Sequence, residues 1–511
     1  MDRPAGDGTK GSGLQGDSLA LFQHVVRIAN QLPGDWSHMG GLEPGQEADD
    51  AYRFQLSAMT SMLATVQYHH TPAYKELCKA AIEKMIEKMM RFDTWSYWEL
   101  SSRGGLADDP DLKELGEGWV DPVERKNVMY SGHLLNMINL HEMFYRDGRF
   151  SKPGALKFAY KPVFRGLGPQ TFEYREQQIV EIILREFKTN SYLGCECEPN
   201  LIFPYCNQYP ILAFMLHDSI HGTSIAPGIM EKHTAAWLKD GGSLYSEQNT
   251  DLNQLPLMHF VKQGYSLPNP GLAAGLSVVL HPWKPDYAEA LYEQVKAHLI
   301  KKDADGNLSV DQVVDVKPLM EEGIDPAVMG VSTFGFMLLA AKEMGDEETA
   351  QGLFEFANRN LDANRENGCL SYERNDEFGT PHYATRLTAN GMIPWASVNP
   401  KNGLSQIYNA PWSDEELTSP EIVDVGYPNV LVGYAHYDKS GGCLRVGLRR
   451  GQNPPRETEF RIVKARPSNG PIGITANGEE LPVSHIASRP GGNEIKVTLP
   501  FERDTDLVIS I

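Results

Sequence analysis

The sequence predicts a mainly α protein in which an α/α6 toroid, a barrel of six helix hairpins around a central cavity, is followed by a small C-terminal antiparallel β-sandwich. Three observations carry this. From about residue 18 to 415 the chain alternates amphipathic helices with short breakers, roughly a dozen times over. No fixed repeat of about 34 or 40 residues accompanies them, which lowers the competing solenoid arrangement. After about residue 420 the pattern changes to short Val/Ile/Leu alternations between turn residues. The expected units are a disordered lead over 1–17, a helical catalytic domain over 18–415 and a β domain over 420–511.

The lead, MDRPAGDGTKGSGLQGDS, is polar and Gly-rich with no apolar centre, so it reads as disordered rather than as a secretory signal. EADDAYRFQLSAM, residues 47–59, opens a helix with Asp49, Asp50 and Tyr52. Thr71 and Pro72 read as an N-cap and first-turn pair before AYKELCKAAIEKMIEKMM. NVMYSGHLLNMINLHEMFYRDG keeps the same period and is expected to end at Gly148. Asn207 reads as an N-cap with Pro210 in the first turn, and that helix runs to Gly222. Pro285 opens DYAEALYEQVKAHL, and GVSTFGFMLLAAKEMG closes on Gly345, with Asp346, Glu347 and Glu348 starting the next helix. Longer aromatic and Pro-rich loops fall near 93–125, 150–170, 241–270 and 370–415. In the last unit NVLVGYAHY, CLRVGLRR, ETEFRIVKA, EIKVTLP and DLVISI read as strands, with Gly441-Gly442 and Asn477-Gly478 as hairpin turns.

A formal charge of −20 over 511 residues repels phosphate backbones and anionic lipid, so no nucleic-acid partner is expected. No apolar run approaches the roughly 18 residues of a membrane span. These features suit a cytoplasmic protein, where six cysteines stay reduced by default; Cys78, Cys369 and Cys443 are too scattered to suggest a disulfide framework.

Candidate chemistry concentrates in CECEPNLIFPYCNQ, residues 195–208. Cys195-x-Cys197 is too tight and Cys206 too isolated for a zinc knuckle, and a reducing compartment argues against a disulfide. A helix starting at Asn207 would put Cys206 at its positive end, where a thiolate is stabilised; a buried, inert thiol is the alternative. His133 shares a helix face with Met129 and Met137, where a core role and a catalytic one are both open. Asp50 and Tyr52 are either partners of the helix dipole or proton donors to a substrate hydroxyl. His69-His70 and the pair His217 and His221 have ligand-like spacing, but no His-Glu-x-x-His motif occurs and no metal is expected. Trp95, Tyr97, Trp98, Trp283 and Trp395 suit an apolar pocket or a core equally, with Trp283 taken as the candidate for substrate contact. No Gly-rich phosphate loop, GxSxG elbow or Rossmann fingerprint is present, so nucleotide and flavin chemistry are disfavoured.

The run Cys197-Glu198-Pro199-Asn200, then Phe203, Cys206 and Asn207, and HDSIHGT from His217 to Thr223 resemble the two-cysteine signature of the linalool dehydratase-isomerase family. Met129 to Leu134, MYSGHL, is similar to that family's stretch around its active-site histidine. The resemblance implies an α/α6 barrel enzyme without cofactor that dehydrates or isomerises an allylic terpene alcohol. It implies that Cys197 and Cys206 handle protons or add to the alkene, that His133 is their proton partner, and that Phe203 and Met129 line the pocket, with Asn207 beside them. The family's hydroxyl-binding Asp and Tyr fall near Asp50 and Tyr52. A homo-oligomer is compatible with the family. The C-terminal β unit and Cys195 lie outside the family pattern.

The expected activity is therefore that of a lyase or isomerase: a dehydratase, isomerase or cyclase of a hydrophobic small molecule in secondary metabolism. A polysaccharide lyase or glycoside hydrolase with the same two-part architecture is the alternative, and a non-catalytic binding scaffold with inert thiols a third reading.

Overall fold

The structure is a computed structural model that describes residues 13–40, 45–47, 50–105, 109, 111–242, 244–246, 251–268, 270–311, 332–372, 385–464, 473–481, 486–488 and 494–511. It is mainly α with several small antiparallel sheets. The helices are α1 (Gly16–Ala29), α2 (Tyr52–His69), α3 (Glu76–Met89), the short α4 (Phe92–Trp95) and α5 (Trp98–Ser101), α6 (Val128–Tyr145), α7 (Glu176–Thr189), α8 (Pro204–His221), α9 (Ala226–Lys239), α10 (Pro270–Leu280) and α11 (Pro285–Leu299). They continue with α12 (Thr333–Met344), α13 (Glu347–Asn360), a π-helical turn (Leu387–Met392) running into α14 (Ile393–Val398), α15 (Gly403–Asn409) and α16 (Asp414–Thr418).

Hydrophobic patterning sorts these helices into two kinds. In α6 every residue from Val128 to Phe144 is buried. In α7 only Glu176, Ile179, Val180, Ile183 and Phe187 are, the three-and-four spacing of a single apolar stripe. Helices buried all round pack on one another: α2 on α6, α6 on α8, α8 on α10, α10 on α12, α12 on α14 and α14 on α2. The striped helices cover them, with α3 on α2 and α6, α7 on α6, α9 on α8, α11 on α10 and α13 on α12. Gly132 lets α6 and α8 approach closely, since a Cβ there would sit 2.9 Å from the ring of Pro210.

Several boundaries differ from the sequence reading. Helix α8 starts at Pro204, not after Asn207, because Pro204 fits the first helical position without losing a donor; Pro210 lies inside the helix. Helix α6 ends on Arg146 in a left-handed conformation, two residues before Gly148. Thr71 and Pro72 do not cap α3. The strands of the C-terminal unit capture that stretch: Ala73 N–H donates to the Ala435 carbonyl (2.9 Å), and the Ala73 carbonyl accepts from Ile422 N–H (2.8 Å). Order also begins inside the segment read as a lead, since Leu14 is buried with its N–H on the Gly433 carbonyl (2.8 Å); residues 1–12 lie outside the described residues. Helix α12 does end on a left-handed Gly345, and Asp346 caps α13 by accepting from Thr349 N–H.

The long loops hold short antiparallel strands: β1 (Leu156–Tyr160) with β2 (Gln170–Tyr174), and β3 (Leu201–Ile202) with β4 (Pro256–Phe260) and β5 (Tyr265–Pro268). Further pairs are β6 (Ile300–Lys302) with β7 (Leu308–Val310) and β8 (Ala363–Glu366) with β9 (Cys369–Tyr372). The C-terminal strands are β10 (Glu421–Val423), β11 (Val430–Asp438), β12 (Cys443–Arg450), β13 (Glu457–Val463), β14 (Gly473–Ala476), β15 (Glu479–Glu480), β16 (Ile486–Ser488), β17 (Ile495–Pro500) and β18 (Thr505–Ser510). They form two sheets, ordered β10-β13-β17-β16 and β11-β12-β18-β14-β15. Alternate residues of both sheets, among them Phe460, Ile462 and Val497 from one and Leu444, Val446 and Leu507 from the other, share one apolar cluster. Among the described residues no helix is long and apolar enough to cross a membrane.

Candidate active site

The cysteine segment is fixed from both ends. At Asn200 the backbone turns through a left-handed conformation (φ +81°), its N–H held by Glu196 Oε2 at 2.6 Å. Cys197 N–H then donates to the Leu201 carbonyl (2.8 Å), and β3 pairs with β4. Asn207, inside the first turns of α8, clips the other end. Its Oδ1 accepts from Cys195 N–H (2.7 Å), while Nδ2 donates to the carbonyls of Cys195 (3.0 Å) and Phe203 (2.9 Å). That amide is engaged by backbone at all three points, so Asn207, read from the sequence as a substrate contact, ties the thiol segment to α8.

All six cysteines are free thiols. Cys206 is the third residue of α8, and its thiol is a hydrogen-bonding neighbour of Cys197. Burial, first, and then Cys206 and Glu198 push the Cys197 thiol well above its ordinary range. Cys195 faces the other way, its Sγ on the Ile183 carbonyl at 3.4 Å.

His133 is buried in α6, with Nδ1 at 2.8 Å from Ser57 Oγ of α2 and its ring 3.8 Å from that of Tyr209 and 5.3 Å from that of Phe54. Its Nε2 is buried and has no partner. Burial, and secondarily the charge of Arg53, lower its pKa to about 3, so the imidazole is neutral at neutral pH. Arg53 is wholly buried, its guanidinium 3.9 Å from the centre of the Tyr97 ring and 4.4 Å from that of Phe54. One terminal nitrogen lies 3.4 Å from Met129 Sδ, the other donates to the Gln46 carbonyl, and Nε has no partner. No carboxylate pairs with it among the described residues. Tyr97 closes the circuit: its OH donates to Asn127 Oδ1 (2.7 Å), and it lies within electrostatic reach of Arg53, Glu198 and Cys197. Tyr209 meets Tyr205 hydroxyl to hydroxyl at 2.9 Å and borders Cys206.

Tyr209 thus connects His133 to Cys206, and Tyr97 connects Arg53, with Met129 against it, to Cys197, while half-buried Phe203 is the residue preceding α8. Tyr52 instead stacks on Trp36 (4.2 Å between ring centres, planes 6° apart), and burial raises its pKa, with Asp93 and Asp50 adding to the effect. Asp50 is buried just before α2; Asp49 lies outside the described residues. Trp283 belongs to another cluster: its indole N–H donates to Gln208 Oε1 (3.0 Å), and its ring packs near Tyr245 and His233. Sequence reasoning missed Arg53, Ser57 and Tyr209, and named Tyr97 only among the aromatics that suit a pocket or a core. The available signal was an arginine and a serine four residues apart on a helix otherwise buried all round.

Residues 53–378 match the family model for linalool dehydratase/isomerase. The chain belongs to that family. Membership in the linalool dehydratase/isomerase family makes it an enzyme of the dehydratase/isomerase type, and the matched span contains both thiols, His133 and Arg53. Among solved structures a glycoside hydrolase aligns over 98% of this chain and 76% of that chain, at 12% identity and a TM-score of 0.33. A likeness at that level carries no argument about this linalool dehydratase/isomerase family member. A cleft of about 160 Å³ beside the cysteine segment includes Asp109, Glu196 and Asn200 in its lining. Its two carboxylates are engaged by Lys262 and Lys126.

Proposed function

We propose that this protein is a cofactor-independent dehydratase or isomerase of a hydrophobic, terpenoid-like allylic alcohol or alkene, acting at Cys197, Cys206 and His133 inside an α/α6 toroid. The toroid reading rests on the order in which the fully buried helices pack, which returns from α14 to α2. The C-terminal sheets are read as a β-sandwich around their shared core.

The observation that carries the activity is the pair of orphaned buried atoms, His133 Nε2 and Arg53 Nε, on side chains that Tyr209 and Tyr97 link to the thiol pair. Buried polar atoms are rarely left without partners, and a substrate hydroxyl offers what both lack. Arg53 orients the hydroxyl. A thiol gives its proton to the departing oxygen as the C–O bond breaks, water leaves, and neutral His133 accepts the C–H proton that releases the electrons of the new double bond. The imidazolium, strongly acidic at this buried position, returns its proton to the thiolate, which restores both groups. An isolated carbocation next to the Arg53 guanidinium is disfavoured, so C–O cleavage and proton loss are coupled. The faces of Tyr97 and Tyr209 hold the apolar chain.

The test is to incubate the protein with linalool and a panel of allylic terpenoid alcohols and to look for dehydrated or rearranged products by gas chromatography and mass spectrometry. Product formation that disappears in Cys206→Ala supports the reading. Full activity in that variant, or no turnover of any allylic alcohol by the wild type, overturns it.

A further inference from the structure

At the end of α8 remote from the thiols, side chains with metal-ligand chemistry converge. His217 and His221 lie one turn apart, and Glu176, the first residue of α7, meets them so that one donor atom of each lies within 4.8 Å of the other two. Glu176 Oε1 is 2.8 Å from His217 Nδ1, and the two imidazole rings are 4.5 Å apart at 45°. Glu176 and His217 are buried, while His221 opens to solvent. A further carboxylate adjoins them. Glu142 of α6 is 8% exposed; its Oε1 accepts from Gly148 N–H (3.0 Å), and its Oε2 is buried without a partner. Glu142 lies within electrostatic reach of Glu176, and the Arg146 cation within reach of both Glu142 and His221.

We propose that Glu176, His217 and His221, with Glu142 beside them, form a binding site for a divalent transition-metal cation of the Zn(II) class that ties the start of α7 to the end of α8. Two imidazoles and a carboxylate are the donors such ions favour over calcium or magnesium. A tetrahedral zinc at its usual bond lengths separates its donors by roughly 3.3 Å, within the range these atoms already span. The cation would offset the cost of burying two neighbouring carboxylates. A comparable group, Glu83, His141 and Asp147, differs in that Lys79 and Arg149 already neutralise it. His217 stands eleven residues beyond Cys206 on α8, about 16 Å along the helix, so the ion would brace the helix that carries the thiol without entering the reaction. The sequence-based expectation is that no metal is bound.

The sequence pattern showed the two histidines; the third ligand comes from a helix some forty residues away in the chain, about the limit of what spacing reveals. The experiment uses the full chain freed of metal with a chelator. Zn(II) is titrated by calorimetry, Co(II) absorption reports the coordination, and the unfolding midpoint is read with and without Zn(II). The wild type is expected to bind stoichiometrically, to show tetrahedral Co(II) bands and to melt higher with Zn(II). His221→Ala, at an exposed position where folding is not at risk, and Glu176→Gln are each expected to lose at least roughly tenfold in affinity together with the melting shift. Wild-type binding that both variants retain, or no binding by the wild type, overturns the proposal.

Discussion

The rings of His133 and Tyr209 lie 3.8 Å apart at 31°, and this contact, with Ser57 on Nδ1, fixes the imidazole so that Nε2 is the atom left for a ligand. A neutral base in that position is expected to lose at least about a hundredfold in kcat when changed to Gln. Because the His133 pKa is about 3, kcat/KM is expected to show no histidine inflection near pH 6.5.

The same burial sets a pH dependence of stability. Between the unfolded value near 6.5 and the folded value of about 3, the unfolded chain holds a proton at His133 that the folded chain does not. Stability is therefore intact above pH 6.5 and falls as pH drops below it, by up to about 1.4 kcal/mol per pH unit for one such group. His233, lowered to about 4 by burial, acts in the same direction. Urea midpoints of wild type and His133→Gln at pH 7 and pH 5 check this: the variant is expected to lose less on acidification.

The thiol pair predicts a contrast between chemistry and structure. Cys197→Ala and Cys206→Ala are each expected to abolish turnover at a stability cost of about 1 kcal/mol, since each removes one small buried atom. Native Cys197 is expected to resist alkylation at neutral pH, because its raised pKa and burial keep the thiolate fraction low. Peptide mass spectrometry after timed labelling reads this directly.

What the sequence could and could not reveal follows from range. Periodicity marked the buried helices and the β unit, and the nine-residue cysteine spacing marked the thiols, because those signals are local. Arg53 was hidden because its value lies in what it lacks among the described residues, a carboxylate, and no local pattern displays a missing partner. Asn207 shows a related limit: no local pattern displays the backbone of Cys195 that closes on its amide. Trp283 went the same way, claimed by Gln208 of another helix. Tyr52 was drawn off by Trp36, a contact across a loop.

Arg53 should trade stability for activity. A wholly buried guanidinium with an orphaned Nε and no carboxylate partner among the described residues is a poorly compensated charge, so Arg53→Met is expected to leave stability unchanged or raise it by about 1 kcal/mol or more. Turnover is expected to fall at least roughly tenfold, with the substrate oxygen no longer held. Removing the charge also lets the His133 pKa rise, so the stability loss on acidification should begin no lower than in the wild type and end at a higher pH. Thermal unfolding and steady-state kinetics of the one variant separate the two effects; a large loss of stability would assign Arg53 a structural role instead.

Asn207 decides whether the thiol segment is positioned or merely nearby. Its amide makes three hydrogen bonds to backbone, so Asn207→Ala is expected to cost about 2–3 kcal/mol in stability and to cut kcat by displacing Cys197. Gly194 offers an independent way to disturb the same clip. It has φ +134°, and a Cβ there would lie 2.6 Å from the Asn207 side chain, so Gly194→Ala must push the amide off its partners. The two substitutions act on one set of bonds, and the double variant is expected to be less destabilised than the sum of the single ones. Full additivity in denaturant unfolding would mean that they act separately. If Asn207→Ala kept wild-type stability and raised only KM, the side chain would be a substrate contact after all.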